Sequence, residues 1–309
     1  ILSSDMRHNG RRMELLGNRY DHSLTTAIYA QTIAGNIGLG EKEIRLARDS
    51  GTLHDRKMPA GGDATQRLDT DRLDEEKHWG EDLPIEVEEY FDRHDITLQE
   101  VDDAINGRGL IGEILNHADR ISYVLGDLQQ LHRPPLRPDL GTIYKDIALD
   151  EDSGHLFFRD RKKLWWLLLE RAWLFDQFYI DAQDQANDFV LASLIAPFYD
   201  PRQTQGDALS PQRLRQMTDA DLIHYLADKY GVDDRMFYAG NRWQPRYLQR
   251  ATLDEAMDAL EDLQTDPALK VLGIKRRRGF DPSIDFNVWD DTLGVGKVVP
   301  AWDMYSIAT

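Results

Sequence analysis

An adjacent histidine and aspartate, His54 and Asp55, close a predicted helix and could offer a metal ion one nitrogen and one oxygen ligand. His22 opens an earlier predicted helix and Asp119 lies on a later one. Two imidazoles and two carboxylates form a mixed donor set that suits a divalent Mn, Fe, Mg, Ni, Co or Zn ion and leaves positions open for water and phosphate oxygens. These residue types therefore allow a metal site that supports hydrolysis, because the ion lowers the pKa of a bound water and neutralises charge on phosphorus.

An adjacent His-Asp pair does not identify such a site by itself. The chain contains a second pair, His94-Asp95, in a polar stretch, and we assign it no role. For most of the nine histidines the ordinary interpretation is a surface or core side chain with satisfied hydrogen bonds. The sequence around His54-Asp55 must therefore decide between the two interpretations.

Three polar residues share one face of a long predicted helix. Asp119, Tyr123 and Asp127 are spaced four residues apart, and the opposite face is apolar. Buried carboxylates need a partner, which a metal, an arginine or a ligand hydroxyl would supply. A salt-bridge network with Arg120 and Arg171 explains this face equally well on spacing alone.

The chain reads as mainly helical in its first two thirds. Apolar spacing predicts helices, and glycine or proline marks their ends. Short apolar runs near the carboxyl terminus indicate strands of a small lobe. The predicted helices are 22–37, 41–53, 84–92, 110–131, 161–198, 211–230 and 253–263, the predicted strands are 271–274, 286–289 and 297–299, and 56–73 reads as a loop.

Five segments in order resemble the HD-domain deoxynucleoside triphosphate triphosphohydrolases, which comprise the bacterial dGTPases and the animal enzyme that carries a sterile-alpha-motif domain before its HD domain. The resemblance runs from about Arg19 to Leu226. The matching segments are Arg19-Tyr20-Asp21-His22-Ser23-Leu24, Leu53-His54-Asp55, Ala118-Asp119-Arg120-Ile121-Ser122-Tyr123 with Asp127-Leu128, Arg171 with Phe178-Tyr179, and Met217-Thr218-Asp219-Ala220-Asp221-Leu222.

The resemblance implies a role for each matching residue. His22, His54, Asp55 and Asp119 would hold the metal. Cationic side chains would bind the triphosphate, a use that suits the forked guanidinium. Those side chains are Arg19, Arg120 and Arg171. Tyr123 would pack at the phosphates and sugar, and Asp127 would accept a hydrogen bond from the 3'-hydroxyl. Tyr179 would crowd the 2' position of the sugar, so that a ribose fits poorly.

The chain departs from the family directly after His54-Asp55. The family continues with a Gly-His-x-Pro-Phe-x-His stretch whose histidines serve the chemistry, whereas this chain has 56–63 without a histidine. Asp63 falls where the second histidine would lie. His78, in a segment that resembles a later family element, is the remaining histidine candidate for proton donation. The departure leaves the metal donors in place and puts the acid chemistry and substrate class in question.

Composition limits the class of protein. The 309 residues carry a net charge of −18, which argues against broad nucleic-acid binding. There is no cysteine, so disulfides and thiolate metal sites are excluded, and a reducing compartment such as the cytoplasm fits. The most apolar run, 164–175, is too short to span a membrane.

The sequence thus predicts a mainly α protein, an HD-domain helical bundle over 1–200 with a small mixed α/β lobe over 201–309. The preferred activity is metal-dependent hydrolysis of deoxynucleoside triphosphates to deoxynucleoside and tripolyphosphate. One alternative is an HD phosphatase or phosphodiesterase acting on another nucleotide, a monophosphate or a signalling nucleotide. The other is a catalytically weak nucleotide-binding regulatory subunit.

Two features concern partners. The aromatic segment from Trp165 to Phe178 offers more apolar surface than one helix face needs, and the resemblance implies a homotetramer or homohexamer. The basic run from Lys275 to Arg278 is interpreted as a solvated face, with an activator nucleotide or a neighbouring subunit as the alternative.

Overall fold

A computed structural model describes residues 19–131, 135–175, 182–203 and 206–232, together with four short strands at 6–8, 11–13, 287–290 and 297–300. The chain forms two compact units that interleave along the sequence. The first unit comprises 1–15, 57–78 and 178–277, and the second comprises 16–56, 79–177 and 278–309. The predicted boundary between residues 200 and 201 stays a prediction.

The second unit is a helical bundle with a small sheet. Its helices are α1 (Arg19–Asn36), α2 (Glu41–Leu53), α5 (Ile85–Arg93), α6 (Leu98–Ile105), α7 (Gly109–Gln130) and α8 (Arg161–Leu174). The strands β3 (Ile147–Leu149), β4 (Leu156–Phe158), β5 (Asn287–Asp290) and β6 (Lys297–Pro300) form one sheet in chain order. The β3–β4 and β5–β6 pairs are antiparallel, and β4 pairs with β5 in parallel.

Helices α1 and α2 approach each other closely at Gly51. A Cβ atom built on this glycine would lie 2.8 Å from the Cα atom of Ala27 and 2.9 Å from its backbone nitrogen. Real Cβ atoms essentially never come this close to backbone atoms. Only glycine therefore permits this crossing, and the crossing lies one helical turn before His54.

A capping box starts α6. The hydroxyl of Thr97 accepts a hydrogen bond from the backbone N–H of Glu100, and the Glu100 carboxylate accepts one from the backbone N–H of Thr97. Helix α6 contributes Val101 and Ile105 to an apolar cluster with Leu46 of α2 and Leu115 of α7. The cap thereby fixes the start of a helix that supports two of the helices carrying metal-type ligands.

Replacement of Thr97 by alanine should lower the free energy of unfolding by about 1 kcal/mol, because the backbone N–H of Glu100 loses the hydroxyl that accepts its hydrogen bond. Urea denaturation followed by circular dichroism would measure the change. Thr97→Ser keeps the hydroxyl and is the matched control. An equal loss in both variants would mean that the methyl group, rather than the cap, provides the stability.

The first unit contains shorter helices and a two-stranded hairpin. Its elements are β1 (Met6–His8), β2 (Arg11–Met13), α3 (Gly62–Gln66), α4 (Glu75–His78), α9 (Ala182–Ile195), α10 (Pro211–Gln216) and α11 (Asp219–Tyr230). Ala60, Ala64 and Leu73 pack with apolar residues of α9, α10 and α11. The backbone N–H of Gly61 donates to Oδ1 of Asp219 at 2.8 Å, which joins residues 158 positions apart.

The mainly α class is confirmed, and most predicted helices lie within a few residues of observed ones. The predicted helix 211–230 is wrong in one respect, because Met217 and Thr218 are extended and Thr218 caps a separate helix, α11. The predicted loop 56–73 contains α3. Two predicted strands are present as β5 and β6. The predicted strand 271–274, the predicted helix 253–263 and the basic run 275–278 lie outside the described residues.

No helix in the described parts of the chain combines the length and the apolar character that crossing a membrane would need.

Candidate metal centre

Three helices bring His22, His54 and Asp119 to one point. His22 lies in the first turn of α1, His54 directly follows α2, and Asp119 lies in the middle of α7. One ligand atom from each lies within 4.8 Å of the others. Nε2 of His22 lies 2.9 Å from Oδ1 of Asp119, and Nε2 of His54 lies 3.5 Å from the same oxygen. Three residues far apart in the sequence thus present a compact set of two nitrogens and an oxygen.

Asp55 lies at the edge of this set. Its carboxylate oxygens are 3.7 Å from Nε2 of His22 and 3.6 Å from Nε2 of His54. The side chain is 8% exposed, and its Oδ2 accepts a hydrogen bond of 2.9 Å from Nη1 of Arg19. The structure therefore places Arg19 against a carboxylate of the centre.

Both imidazole rings are oriented by oxygen atoms on the far side from the centre. Nδ1 of His54 lies 2.9 Å from the backbone carbonyl of Gly51, and Nδ1 of His22 lies 3.0 Å from the hydroxyl of Ser122. A ring that donates its Nδ1–H to such an oxygen keeps the lone pair of Nε2 for a metal. The two Nε2 atoms are the atoms that face the Asp119 carboxylate.

The electrostatic balance of the centre favours a cation. Burial alone would lower the pKa of His54, but the carboxylates of Asp119 and Asp55 outweigh burial and raise it to about 9. Burial alone would raise the pKa of Asp119, but the two histidines outweigh burial and hold it well below its usual range. The carboxylates thus stabilise positive charge at the point where the two rings meet.

These residues fit a divalent metal ion. Nε2 of His54 is buried and makes no hydrogen bond with any residue that the structure describes. A buried polar nitrogen without a hydrogen bond costs free energy, and a metal would remove that cost. The donor set of imidazole nitrogens and carboxylate oxygens is common to Zn, Fe, Mn, Co and Ni sites and does not discriminate among them.

Apart from Tyr179, the residues assigned to substrate belong to the same unit as the centre. Tyr123 and Asp127 follow Asp119 on one face of α7, and the Tyr123 hydroxyl accepts a hydrogen bond of 2.6 Å from Nε of the buried Arg171 on α8. The Arg171 guanidinium also lies over the ring of Phe175, 5.0 Å from its centroid. Arg120 is half-buried on α7. Burial raises the pKa of Asp127 to about 6, against smaller opposing effects of His22 and Arg19.

The candidates for proton donation lie in the first unit. Asp63 is exposed in the first turn of α3, and His78 ends α4, where its Nε2 lies 3.0 Å from the backbone carbonyl of Asp71. Their roles stay predictions. The predicted sugar-discriminating Tyr179 lies outside the described residues, as does Phe178.

Sequence reasoning missed three residues around the centre. Ser122 and Thr26 form a buried hydroxyl pair beside His22. Gly51 has two roles, because it permits the close crossing of α1 and α2 and its backbone carbonyl orients the ring of His54. Spacing offered a partial signal, because Ser122 follows Asp119 by three residues and Thr26 follows His22 by four, which places each on its neighbour's helix face. The partner across the helices could not be inferred from that spacing.

No protein-family model matches the chain, and no curated protein matches it. Solved structures share its fold. A hypothetical protein from Aquifex aeolicus aligns over 94% of this chain and 80% of its own, with a TM-score of 0.67 and 15% identity. A phosphohydrolase from Bacteroides thetaiotaomicron aligns over 92% of this chain and 82% of its own, with a TM-score of 0.61 and 13% identity. At these identities the similarity establishes a shared fold.

Proposed function

We propose that this chain is a metal-dependent phosphohydrolase that converts deoxynucleoside triphosphates to deoxynucleosides and tripolyphosphate. The observation that carries the proposal is the convergence of His22, His54 and Asp119, with a buried imidazole nitrogen that lacks a hydrogen bond among the described residues. The fold shared with a protein named a phosphohydrolase supports the reaction class. The ordered motifs from Arg19 to Leu226 support the substrate class.

A divalent metal held by His22, His54 and Asp119, with Asp55 beside them, would supply Lewis acidity that activates water and neutralises phosphate charge. The chain's own residues would bind and orient the substrate. Arg171 is the best placed for an anion, because its side chain is buried, stays charged and is held by the hydroxyl of Tyr123. A guanidinium fixed in this way loses little conformational entropy when it binds a phosphate.

The sugar would lie along the rest of the same helix face. Tyr123 and Asp127 are four residues apart on α7, so a nucleotide whose phosphates contact Arg171 and Tyr123 would bring its sugar towards Asp127. A carboxylate accepts hydrogen bonds and would suit a 3'-hydroxyl. Tyr179, eight residues after Arg171, would exclude a 2'-hydroxyl.

When water attacks the α-phosphorus, the bond to the nucleoside 5'-oxygen breaks, and a proton donor near neutral pH helps that oxygen to leave. We favour His78 over Asp63, because an unperturbed imidazole has a pKa of about 6.5, whereas an unperturbed aspartate is already ionised. His78→Ala should lower the turnover number more than Asp63→Ala does, while metal content, measured by elemental analysis, stays constant in both. Normal turnover in His78→Ala together with an inactive Asp63→Ala would assign the proton to the carboxylate.

Product analysis tests the function. The metal-loaded protein is incubated with each deoxynucleoside and ribonucleoside triphosphate, with nucleoside monophosphates and with signalling nucleotides, and products are resolved by anion exchange. We expect tripolyphosphate and a nucleoside from deoxynucleoside triphosphates. Orthophosphate or a phosphate monoester would instead support the other HD phosphohydrolases. Tight nucleotide binding without turnover would support the regulatory subunit, which the missing histidines at 56–63 favour.

We further propose a homotetramer or homohexamer. Trp165 and Trp166 are adjacent on α8 and both stay partly exposed within one chain, so apolar surface remains for a second copy. Sedimentation at micromolar concentration that gives only monomer would contradict this part of the proposal.

A further inference from the structure

A buried pair of hydroxyl groups lies behind His22. Oγ of Ser122 on α7 lies 3.0 Å from Nδ1 of His22, 2.7 Å from Oγ1 of Thr26 on α1 and 3.0 Å from the backbone carbonyl of Asp119. Thr26 is 0% exposed and Ser122 is 3% exposed. Water therefore does not compete for these hydrogen bonds.

The protons in this group can be counted. Among the described residues, Ser122 is the hydrogen-bond partner that the Thr26 hydroxyl finds, so Thr26 must donate to it, since a buried donor without an acceptor is costly. The Asp119 carbonyl can only accept, and it takes the one proton of Ser122. Both lone pairs of Ser122 then accept, one from Thr26 and the other from Nδ1–H of His22.

We infer that Ser122, supported by Thr26, is a positioning residue that keeps the proton of His22 on Nδ1 and so offers Nε2 to the metal. If Ser122 donated to the ring instead, its one proton would no longer reach the Asp119 carbonyl, and the hydrogen bond that joins these two residues would be lost. Because Ser122 also bonds the backbone of Asp119, the same hydroxyl ties together two of the proposed metal donors. Outer partners of this kind are known to orient metal-bound histidines and to raise their basicity.

This inference rests on the metal binding in the proposed function but not on the reaction. The test therefore uses Co²⁺ alone, titrated into the full chain and followed by calorimetry. Ser122→Ala should weaken Co²⁺ binding about 10–100-fold, the range typical of a lost outer partner. Thr26→Val, which keeps the shape and removes the donor, should weaken it less, and Thr26→Ser should bind as the unmutated protein does.

Ser50→Ala is the matched control. Ser50 is a fully buried serine on α2 whose Oγ makes no hydrogen bond with the described residues, and its backbone carbonyl, which accepts from the N–H of His54, is unchanged by the substitution. Its Co²⁺ affinity should stay within about twofold of the unmutated protein. A loss equal to that of Ser122→Ala would overturn the inference, because generic loss of a buried serine would then explain both.

A spectroscopic readout separates positioning from packing. Ring N–H protons of cobalt-bound histidines appear as shifted proton resonances, and the one from His22 should exchange slowly with solvent while Ser122 accepts it. Ser122→Ala and Thr26→Val should both speed that exchange, and the His54 resonance should persist. Three results would overturn the inference. In the first, Ser122→Ala folds and keeps both its Co²⁺ affinity and the slow exchange of the His22 ring proton. In the second, Ser122→Ala does not fold and Thr26→Val changes neither quantity, and in the third, the unmutated protein binds no Co²⁺. If the unmutated protein shows the expected cobalt behaviour but hydrolyses no nucleotide, the inference stands and only the proposed function fails.

Discussion

Replacement of His54 by alanine should eliminate tight metal binding and, with it, the proposed phosphohydrolase activity. The loss of metal affinity should exceed the about 10–100-fold that removal of an outer partner causes, because one of the proposed ligands itself disappears. His54 is the buried donor whose Nε2 has no hydrogen bond among the described residues, and its carboxylate neighbours Asp119 and Asp55 would then face each other with less positive charge between them. Equilibrium dialysis followed by elemental analysis measures the bound metal.

The second His-Asp pair of the chain provides a matched control for this substitution. His94 begins the second His-Asp pair and follows α5, where its ring contacts Tyr90 and the Arg45 guanidinium. His94→Ala should retain the metal. His54→Asn separates folding from binding, because its amide nitrogen takes the position of Nδ1 and can still donate to the Gly51 carbonyl. If His54→Ala and His94→Ala retain equal amounts of metal, the centre is misplaced.

Replacement of Gly51 by alanine should have the second large effect, a loss of stability. The new Cβ would lie 2.8 Å from the Cα atom and 2.9 Å from the N atom of Ala27. Backbone atoms cannot relieve such a clash by changing rotamer, as a side chain can. We expect a loss of about 1–3 kcal/mol in the free energy of unfolding, as for overpacked cores. Metal affinity should fall as well, since separating α1 from α2 moves His22 away from His54.

Gly126→Ala is the control for that substitution. Gly126 also lies within a helix, α7, but a Cβ built on it meets nothing within 4 Å. Alanine is the better helix former, so this variant should be as stable as the unmutated protein or more stable by up to about 1 kcal/mol. Urea denaturation compares the two variants. Similar stability in both would show that the α1–α2 crossing relaxes without cost.

Local patterns predicted the helices well where one apolar face decides the element. The bounds of α2 were predicted without error, and those of α1 and α7 to within a few residues. The missed helix α6 and the missed start of α11 both carried a readable signal, since Thr97 with Glu100 and Thr218 with Asp221 have capping-box spacing. Apolar periodicity alone does not reveal these helix starts, whereas the capping-box residues do.

The sequence indicated the candidate donor residues of the centre but not the residues that hold those donors in position. A His-Asp pair occurs twice in the chain, and the ordered motifs around His54-Asp55 distinguish it from His94-Asp95. Ser122, Thr26 and Gly51 are ordinary residue types whose importance depends on what lies across a helix interface. The contact between Gly61 and Asp219 shows the same limit at longer range. Spacing within one helix carries no information about which residue 158 positions away will supply the acceptor.

That long-range contact sets an order for assembly on the ribosome. Helices α1, α2 and α7, which carry His22, His54 and Asp119, are complete once residue 130 has emerged. The stretch 57–78 lies between them in the sequence, yet its apolar residues Ala60, Ala64 and Leu73 pack with residues between 191 and 226. The N–H of Gly61 likewise donates to Asp219. At about 5–20 residues per second, synthesis of the chain from residue 130 to residue 226 takes roughly 5–20 s. During that interval the residues that follow His54-Asp55 lack the apolar partners that cover them in the folded chain, so their apolar side chains are open to chaperones and proteases.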